Sequence, residues 1–485
     1  MIMNNVVEKS GKLSMKKNMI IFGIGIFFTK LLNFIFAPIY SHFMTTAQFG
    51  IIDILQTTGF LLIPICTLAI TEAVLKYGID DNADSKKVFS TGLFVTLIGL
   101  LLISVVVVVA GQFIYKEYLW LTLVYYLCEC CFLFLQAFSK SLKKTTDFVI
   151  SSVIYSVISI SLISVFLVVQ SLGVYGYLIG LASGGALGSL YLIIRCKVWK
   201  HFSFNSIKKD CLKTMISFSA PLTLSGIAYW LISGSDKYIT RLLMGESATG
   251  LLSVVHKIPS LCTVLYSIFH FAFILSALKD HKLTEKTYEE DKVFYNSIFR
   301  HVLTLLIFGS IFVTLLAEPI ILLYSKDFYI SWIFVPLYAF GVILGALRNF
   351  YASIYMTKEK TFKIMIIVVI GALINIIVCF LLMKFTNLGL WATAISTVCA
   401  NGFIFLFYCI DVRKIVDIKP KWNEIVSMGI CLIVSVLSVL SLSRLVYYLI
   451  VGTSLVVLAI INLKNLLNIL KLVLNKRNKK DEKIS

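Results

Sequence analysis

Fourteen times along this chain an apolar stretch close to twenty residues long is followed by a short polar joint. A bilayer core of about 30 Å needs roughly 20 residues of helix, so each stretch has the length of one crossing. In hydrocarbon every backbone N–H and C=O must be paired inside the segment, which makes helix the fold for spans of this length. The spans cover residues 19–40, 49–75, 89–114, 119–139, 149–170 and 174–194, then 214–235, 247–277, 297–323, 332–351, 364–384, 389–410, 425–443 and 445–463. Only 14% of the residues are charged and 59% are apolar. Soluble domains carry about 25% charged residues, so an ordinary water-soluble fold is excluded.

The net charge of +19 would suggest a polyanion partner in a soluble protein. Its distribution says otherwise. With the N-terminus placed in the cytoplasm, 35 of the 44 Lys and Arg fall in cytoplasmic segments. Six lie outside (Lys116, Lys237, Arg241, Lys326, Lys384 and Arg444), and Lys30, Lys257 and Arg348 lie within spans. Short cytoplasmic loops retain basic residues and translocated ones lack them. The excess is therefore a topology signal: both termini are expected in the cytoplasm, and no nucleic-acid partner is expected. The basic tail from Asn475 to Ser485 is either solvated or meets anionic membrane lipids, each nearby Lys or Arg contributing about 1 kcal/mol. The first stretch is a full span, holds Lys30 and lacks a small-residue cleavage pattern, so it is expected to remain as the first helix. Eleven cysteines lie mainly inside spans without a disulfide framework or a second ligand cluster at metal spacing, so they read as small apolar residues and no metal is expected.

The predicted fold is an all-α integral membrane protein with two six-helix lobes and two C-terminal helices. Its segments are a cytoplasmic N-terminus (1–18), an N-lobe (19–194), a basic cytoplasmic loop (195–213), a C-lobe (214–410), a final pair of spans with its preceding loop (411–463) and a basic tail (464–485). Traces of a repeat relate the lobes. Met19-Ile20-Ile21-Phe22 opens the first span and Met215-Ile216-Ser217-Phe218 the seventh, Gly50 begins the second as Gly250 begins the eighth, and prolines recur as Pro38 and Pro64, then Pro221 and Pro259. Two halves of the same orientation form the parallel repeat used by many transporters.

Polar residues at helical spacing inside a span point to a protein interior or a watery cavity. The second span aligns Asp53, Thr57, Phe60, Pro64, Thr67 and Thr71. The eighth aligns Ser253, His256, Ser260, Thr263, Ser267 and His270 beside Lys257, and the tenth Gly341, Gly345, Arg348 and Tyr355. Helix packing accounts for the hydroxyls and glycines. Charges ask for more, because an ionised residue at mid-span costs about 2.5–3.5 kcal/mol. Lys30, Lys257 and Arg348 form a cationic set, with Asp236, Lys237 and Arg241 at the outer end of the seventh span. Asp53, Glu72, Glu129 and Glu318 are their acidic counterparts. Two accounts remain open: internal ion pairs, or a central cavity whose fixed cations receive an anionic substrate.

The patterns Lys30, Pro38 and Tyr40, TTAQFGIIDILQTTGFLLIP, TEAVLKYG, APLTLSGIAYWLISGSDKYITRLLMGESATGLLSVVHKIPSL and SIFHFAFILSA make the chain resemble the oligosaccharide flippases of polysaccharide export. These belong to the superfamily that also holds multidrug exporters and lipid II flippases. The resemblance implies alternating-access translocation of an undecaprenyl-pyrophosphate-linked repeat unit across a bacterial cytoplasmic membrane, for capsule, exopolysaccharide or O-antigen. It places Lys30, Asp236, Lys237, Lys257 and Arg348 as contacts to pyrophosphate or sugar. The last two spans would help to accommodate the lipid tail, with polysaccharide polymerase and chain-length machinery as further partners. Lys76 stands where relatives often have Arg; it keeps the charge and loses the bidentate fork, which argues against a direct phosphate role.

No GxxxxGK loop, nucleophile elbow or HExxH motif occurs, so an enzyme is not expected. No cofactor is expected beyond a coupling ion, proton or sodium, for which Asp53, Glu72 and Glu318 are candidates, as they are for ion pairs. The alternatives are a lipid II or multidrug exporter of the same superfamily and, less well supported, a membrane polymerase or ligase. The last commonly needs a sizeable external loop, whereas the longest here runs from Asp236 to Glu246.

Overall fold

Helix begins wherever a side chain closes the first turn, and α2 shows the rule. Thr45 accepts from the Gln48 amide while the Gln48 side chain accepts from the Thr45 amide, a reciprocal cap that starts Thr46–Cys66. The computed structural model describes residues 29–80, 83–263, 266–267, 288–357, 361–414, 416–440, 443–463 and 465. Residues 1–28, His270, the segment 278–287 and the tail from Asn475 lie outside the described residues. Among the described residues there is no strand, and eleven stretches are long and apolar enough to cross a membrane. The protein is all-α.

The chain divides into two units, Met1–Trp230 and Leu231–Ser485. The first holds α1 (29–41), α2 (Thr46–Cys66), α3 (Ile70–Gly78), α4 (Ser85–Gly111), α5 (Leu119–Ser141), α6 (Thr145–Val168), α7 (Gly173–Cys196) and the start of α8 (Lys209–Lys257). The second holds the rest of α8, then α9 (Tyr288–Ile321), α10 (Val335–Thr357), α11 (Thr361–Phe385), α12 (Trp391–Asp411), α13 (Trp422–Leu440) and α14 (Arg444–Ile461). In the first unit α7 packs on α5 and α6, and α3 on α4 and α5. In the second, α12 packs on α10 and α11, while α13 and α14 pack on each other and on α9.

The outward surface is apolar, the reverse of a soluble protein. On α4, Leu101, Val105 and Val109 are 69%, 61% and 59% exposed at four-residue steps, while Ile103 on the opposite side is fully buried. Such a stripe is stable only against hydrocarbon or another apolar surface.

Two spans differ from expectation. The second is two helices, broken over Thr67–Ala69, with Leu68 and Ala69 at φ 50° and 46°. Pro64 contributes its carbonyl to the closure by accepting from the Ala69 amide at 2.8 Å. Left-handed backbone costs about 1–2 kcal/mol per L-residue. Burial of Ile70, Ala73 and Val74 against Phe89, Phe134 and Phe138 offsets it. The second difference lies between the seventh and eighth spans. Instead of an eleven-residue loop, helix continues from Asp236 to the break at Gly245, whose φ 87° and ψ 179° only glycine adopts readily. Arg241 Nε lies 3.4 Å from Glu246 Oε1 across the break.

The segment between α7 and α8 is docked on the first unit. The Ser203 amide donates to Ser90 Oγ at 2.9 Å, His201 Nδ1 lies 2.9 Å from Ser85 Oγ, and the His201 ring meets Phe138 edge-on. Burial first, then the charges of Lys144 and Lys86, hold the His201 imidazole below the usual histidine range. Because the docked state binds this proton less readily than the free segment, docking is full above the ordinary histidine pKa of about 6.5 and weakens as pH falls through it. Amide exchange in residues 197–208 is therefore expected to rise between pH 7.5 and 5.5, and His201→Asn to remove that dependence. Exchange that stays flat with pH in the wild type would contradict this assignment.

Candidate functional site

The charged residues inside the spans sort into several local environments. Lys30 on α1 is exposed, one turn from Asn33, whose side chain donates to the Thr29 carbonyl at 3.0 Å. Asp53 on α2 is half-buried and acts on Tyr177 of α7, whose hydroxyl is hydrogen-bonded to Gln56. Tyr40 of α1 meets Tyr177 edge-on at 5.9 Å. Nearby, Tyr155 of α6 donates to Glu129 of α5. The first unit thus has a polar interior lined by tyrosines, with carboxylates on α2 and α5. Glu129 was visible in the sequence as a mid-span carboxylate; its tyrosine partner, 26 residues on, was not.

Glu72 on α3 is exposed and acts on Lys140 of α5. Four residues on, Lys76 Nζ sits 3.8 Å from the centre of the Phe218 ring, which Tyr77 also meets edge-on at 5.8 Å. Lys76 is engaged in a cation–π contact with Phe218.

In the second unit Asp236 is 1% exposed, and its Oδ2 lies 3.2 Å from His256 Nε2 across the α8 break. The Lys237 amide donates to Asp236 Oδ1 at 2.9 Å. His256 in turn stacks on Tyr338 of α10, the rings 4.3 Å apart. Asp236 and His256 lie within contact distance, although neither Asp236 Oδ2 nor His256 Nε2 makes an aligned hydrogen bond. Sequence spacing had aligned His256 with serines on one stripe without identifying its partner.

Lys257, the last residue of α8, is half-buried, and its carbonyl accepts from Ser260 Oγ at 2.5 Å. Arg348 on α10 is 8% exposed. Its Nη1 donates to Asn401 Oδ1 of α12 at 2.9 Å, its Nε to Asn349 Oδ1 at 3.4 Å, and its charge acts on Tyr266. Asn401 is a residue the sequence reading missed; the signal was an amide in the middle of an apolar span.

Glu318 on α9 is 2% exposed and fully engaged. Arg444 Nε lies 3.0 Å from its Oε1, Tyr448 donates to its Oε2 at 2.9 Å, and Tyr329 donates to its Oε1. This arrangement ties α9 to the start of α14. Of the two roles open to Glu318, the geometry is that of an ion pair.

The described contacts bring Asp236 to His256, Arg348 to Asn401 and Glu318 to Arg444. Lys30, Asp53 and Glu72 belong to the first unit; Asp236, Lys237, Lys257, Arg348 and Glu318 belong to the second.

Comparison with known proteins extends the picture from residues to family. Residues 15–274 match the family described as polysaccharide biosynthesis protein. A sequence comparison with curated proteins finds no significant match. Among solved structures, the lipid II flippase MurJ in an inward closed conformation aligns with a TM-score of 0.65 and 16% identity, covering 92% of this chain and all of that one. An outward-facing multidrug resistance MATE family transporter of the MOP superfamily aligns at 0.58 with 14% identity, over 82% of this chain and 96% of that one. A MOP-superfamily transporter from Pyrococcus furiosus Vc1, described by the reverse polarity of its binding pocket, aligns at 0.55 with 14% identity, over 82% and 95%. These neighbours are transporters and a flippase, and they share this fold along most of its length. The chain is a multi-pass membrane protein that belongs to the polysaccharide biosynthesis protein family and is built on the fold of MOP-superfamily transporters.

Proposed function

We propose that this protein is a flippase that moves undecaprenyl-pyrophosphate-linked oligosaccharide repeat units across the bacterial cytoplasmic membrane by alternating access. The observation that carries the reading is the union of two matches: a polysaccharide biosynthesis family over residues 15–274 and a lipid II flippase fold over 92% of the chain. The residues support it chemically. Lys30 is exposed at the start of α1, and Arg348 is buried and donates to the amide oxygens of Asn401 and Asn349. Cations in a partly dehydrated setting attract a pyrophosphate far more strongly than they would in water.

In this reading Lys30, Asp236, Lys237, Lys257 and Arg348 are contacts to the pyrophosphate or the sugar. A proton or sodium ion supplies the energy, with Asp53 and Glu72 as candidate carriers. Both termini lie in the cytoplasm, and the product passes to polymerase and chain-length machinery.

Replacing Lys30 or Lys257 with Ala is expected to lower polysaccharide export about tenfold or more while membrane insertion and detergent stability stay at wild-type level. Surface polysaccharide measured in a deletion strain complemented with each variant checks this. Full export from both variants would sink the cationic mechanism. Restored resistance to cationic drugs, with no effect on polysaccharide, would favour a multidrug exporter.

A further inference from the structure

We propose that the segment between α7 and α8 is a membrane-surface anchor: Trp199 and Phe204 enter the interfacial layer of the bilayer, and the lysines around them bind the phosphates of anionic phospholipids. The partner is the bilayer itself, so the proposal goes beyond the flippase reading and does not depend on the cargo.

The helix before this segment, Gly173–Cys196, and the helical stretch that begins at Lys209 are both long and apolar enough to cross a membrane. Residues 197–208 join two crossings and therefore lie at one face of the bilayer. Within the first unit the segment has an inner side. Val198 packs against the core cluster that holds Phe89 and Phe138, the Ser203 amide donates to Ser90 Oγ, and His201 Nδ1 lies against Ser85 Oγ. These contacts fix which way the chain faces.

The outer side is aromatic. Trp199 and Phe204 are 59% and 76% exposed, and Phe202, also exposed, meets Phe204 edge-on at 4.7 Å. The patch follows an exposed apolar stripe on the end of α7, where Leu187, Leu190 and Ile194 stand at steps of three and four, and Ile194 precedes Trp199 by five residues. That stripe belongs against hydrocarbon, and Trp199 takes over where it ends. Tryptophan is enriched at this level of a membrane because its ring is apolar and its N–H is not.

Charge selects the lipid. Lys197, Lys200, Lys208 and Lys209 are exposed, and residues 197–209 contain no Asp or Glu. Lysines held near an anionic surface each add to the attraction, while their stems cover apolar area. Dissolved phosphate would account for the lysines and leave the rings uncovered. A second copy of the chain docked through the same face would cover the rings and set two lysine-rich segments against each other, which like charges oppose. Anionic phospholipid meets both demands at once.

The experiment uses the full-length protein in nanodiscs of unlabelled phosphatidylcholine. Equal small fractions of either phosphatidylcholine or phosphatidylglycerol, carrying a nitroxide on the acyl chain near the glycerol, serve as quenchers. The emission of Trp199 is the difference between the wild type and Trp199→Phe. Both labelled lipids are expected to quench it, with phosphatidylglycerol favoured about fivefold or more. Inorganic phosphate at matched ionic strength is expected to leave that preference unchanged. A variant that joins Lys197→Gln, Lys200→Gln, Lys208→Gln and Lys209→Gln is expected to keep the wild-type melting temperature and to be quenched equally by both lipids. If this variant does not fold, a salt titration of the wild type replaces it, and the preference is expected to fall as salt screens the lysines. Trp199 emission that neither lipid quenches would place the ring outside the bilayer. Equal quenching in the wild type would deny the lysines their role, and loss of the preference to inorganic phosphate would assign them to the free ion. Each of these results overturns the anchor, and none of them bears on the flippase reading.

Discussion

Gly184→Leu is expected to prevent the first unit from assembling, leaving little protein that survives detergent extraction as a folded monodisperse species. A Cβ at this position would lie 2.0 Å from Ser159 Oγ and 2.7 Å from the Tyr155 carbonyl oxygen. One turn earlier, a Cβ at Gly180 would lie 3.0 Å from both the Ile163 nitrogen and the Ser159 carbonyl. Half of the nearest opposing atoms are backbone of α6, which cannot swing aside as a side-chain tip can. Between helices in lipid the hydrophobic drive is absent, and close backbone approach through small residues supplies the attraction in its place. Overpacking costs about 1–3 kcal/mol in a core that can adjust, and more where the obstacle is main chain. Gly452→Ala on α14, where an added Cβ meets nothing within 4 Å, is the control and should stay within about 0.5 kcal/mol of wild type. Thermal melting followed by fluorescence-detected gel filtration reads both. A Gly184→Leu protein that melts with the wild type would show that α6 and α7 are not packed this closely.

Glu318→Ala is expected to lower stability by about 3 kcal/mol and to loosen α14 from α9. The carboxylate receives hydrogen bonds from Tyr329 and Tyr448 and an ion-pair contact from Arg444. The Arg444 side chain is 67% exposed and rehydrates when its partner is lost, so its share is small. Most of the loss comes from the two tyrosine hydroxyls, each bonded to a charged acceptor and each left without it, at about 1.5 kcal/mol or more apiece. The same substitution separates the two roles that Glu318 could hold. A structural ion pair predicts a lower melting temperature with the ion dependence of transport intact below it. A coupling site predicts an unchanged melting temperature with the ion dependence gone, and that result would contradict the assignment made here.

Hydropathy made the spans legible because the bilayer imposes a length and a polarity on every crossing, whatever the neighbouring helices do. The breaks were harder to read. Leu68 and Ala69 carry no turn signature, and their left-handed backbone is tolerated only because α3 then buries Ile70, Ala73 and Val74. The cluster of Asp236, Lys237, Arg241 and Glu246 looked like a loop by charge alone. It is helix as far as Gly245, with His256 3.2 Å from Asp236 and Glu246 3.4 Å from Arg241 inside the fold.

The same distinction governs the site. Mid-span charges mark themselves in a sequence, and Lys30, Lys257 and Arg348 did so. Their partners do not. Asn401 lies 53 residues from Arg348 and Tyr448 lies 130 from Glu318, separations that only the packing of α12 on α10 and of α14 on α9 closes. Glu318 is met by a cation and two hydroxyls, whereas Arg348 donates to the amide oxygens of Asn401 and Asn349.

Transbilayer movement of the cargo itself is the most direct test. Purified protein would be reconstituted into liposomes containing an undecaprenyl-pyrophosphate oligosaccharide that carries a fluorophore on its sugar, and a membrane-impermeant quencher would be added outside. With the wild-type protein the inner-leaflet pool is expected to become accessible, so that quenching runs beyond the outer-leaflet share, while Lys30→Ala and Lys257→Ala vesicles behave like protein-free ones. Quenching that stops at the outer-leaflet share with the wild-type protein, or that proceeds at the wild-type rate in both variants, would contradict the account.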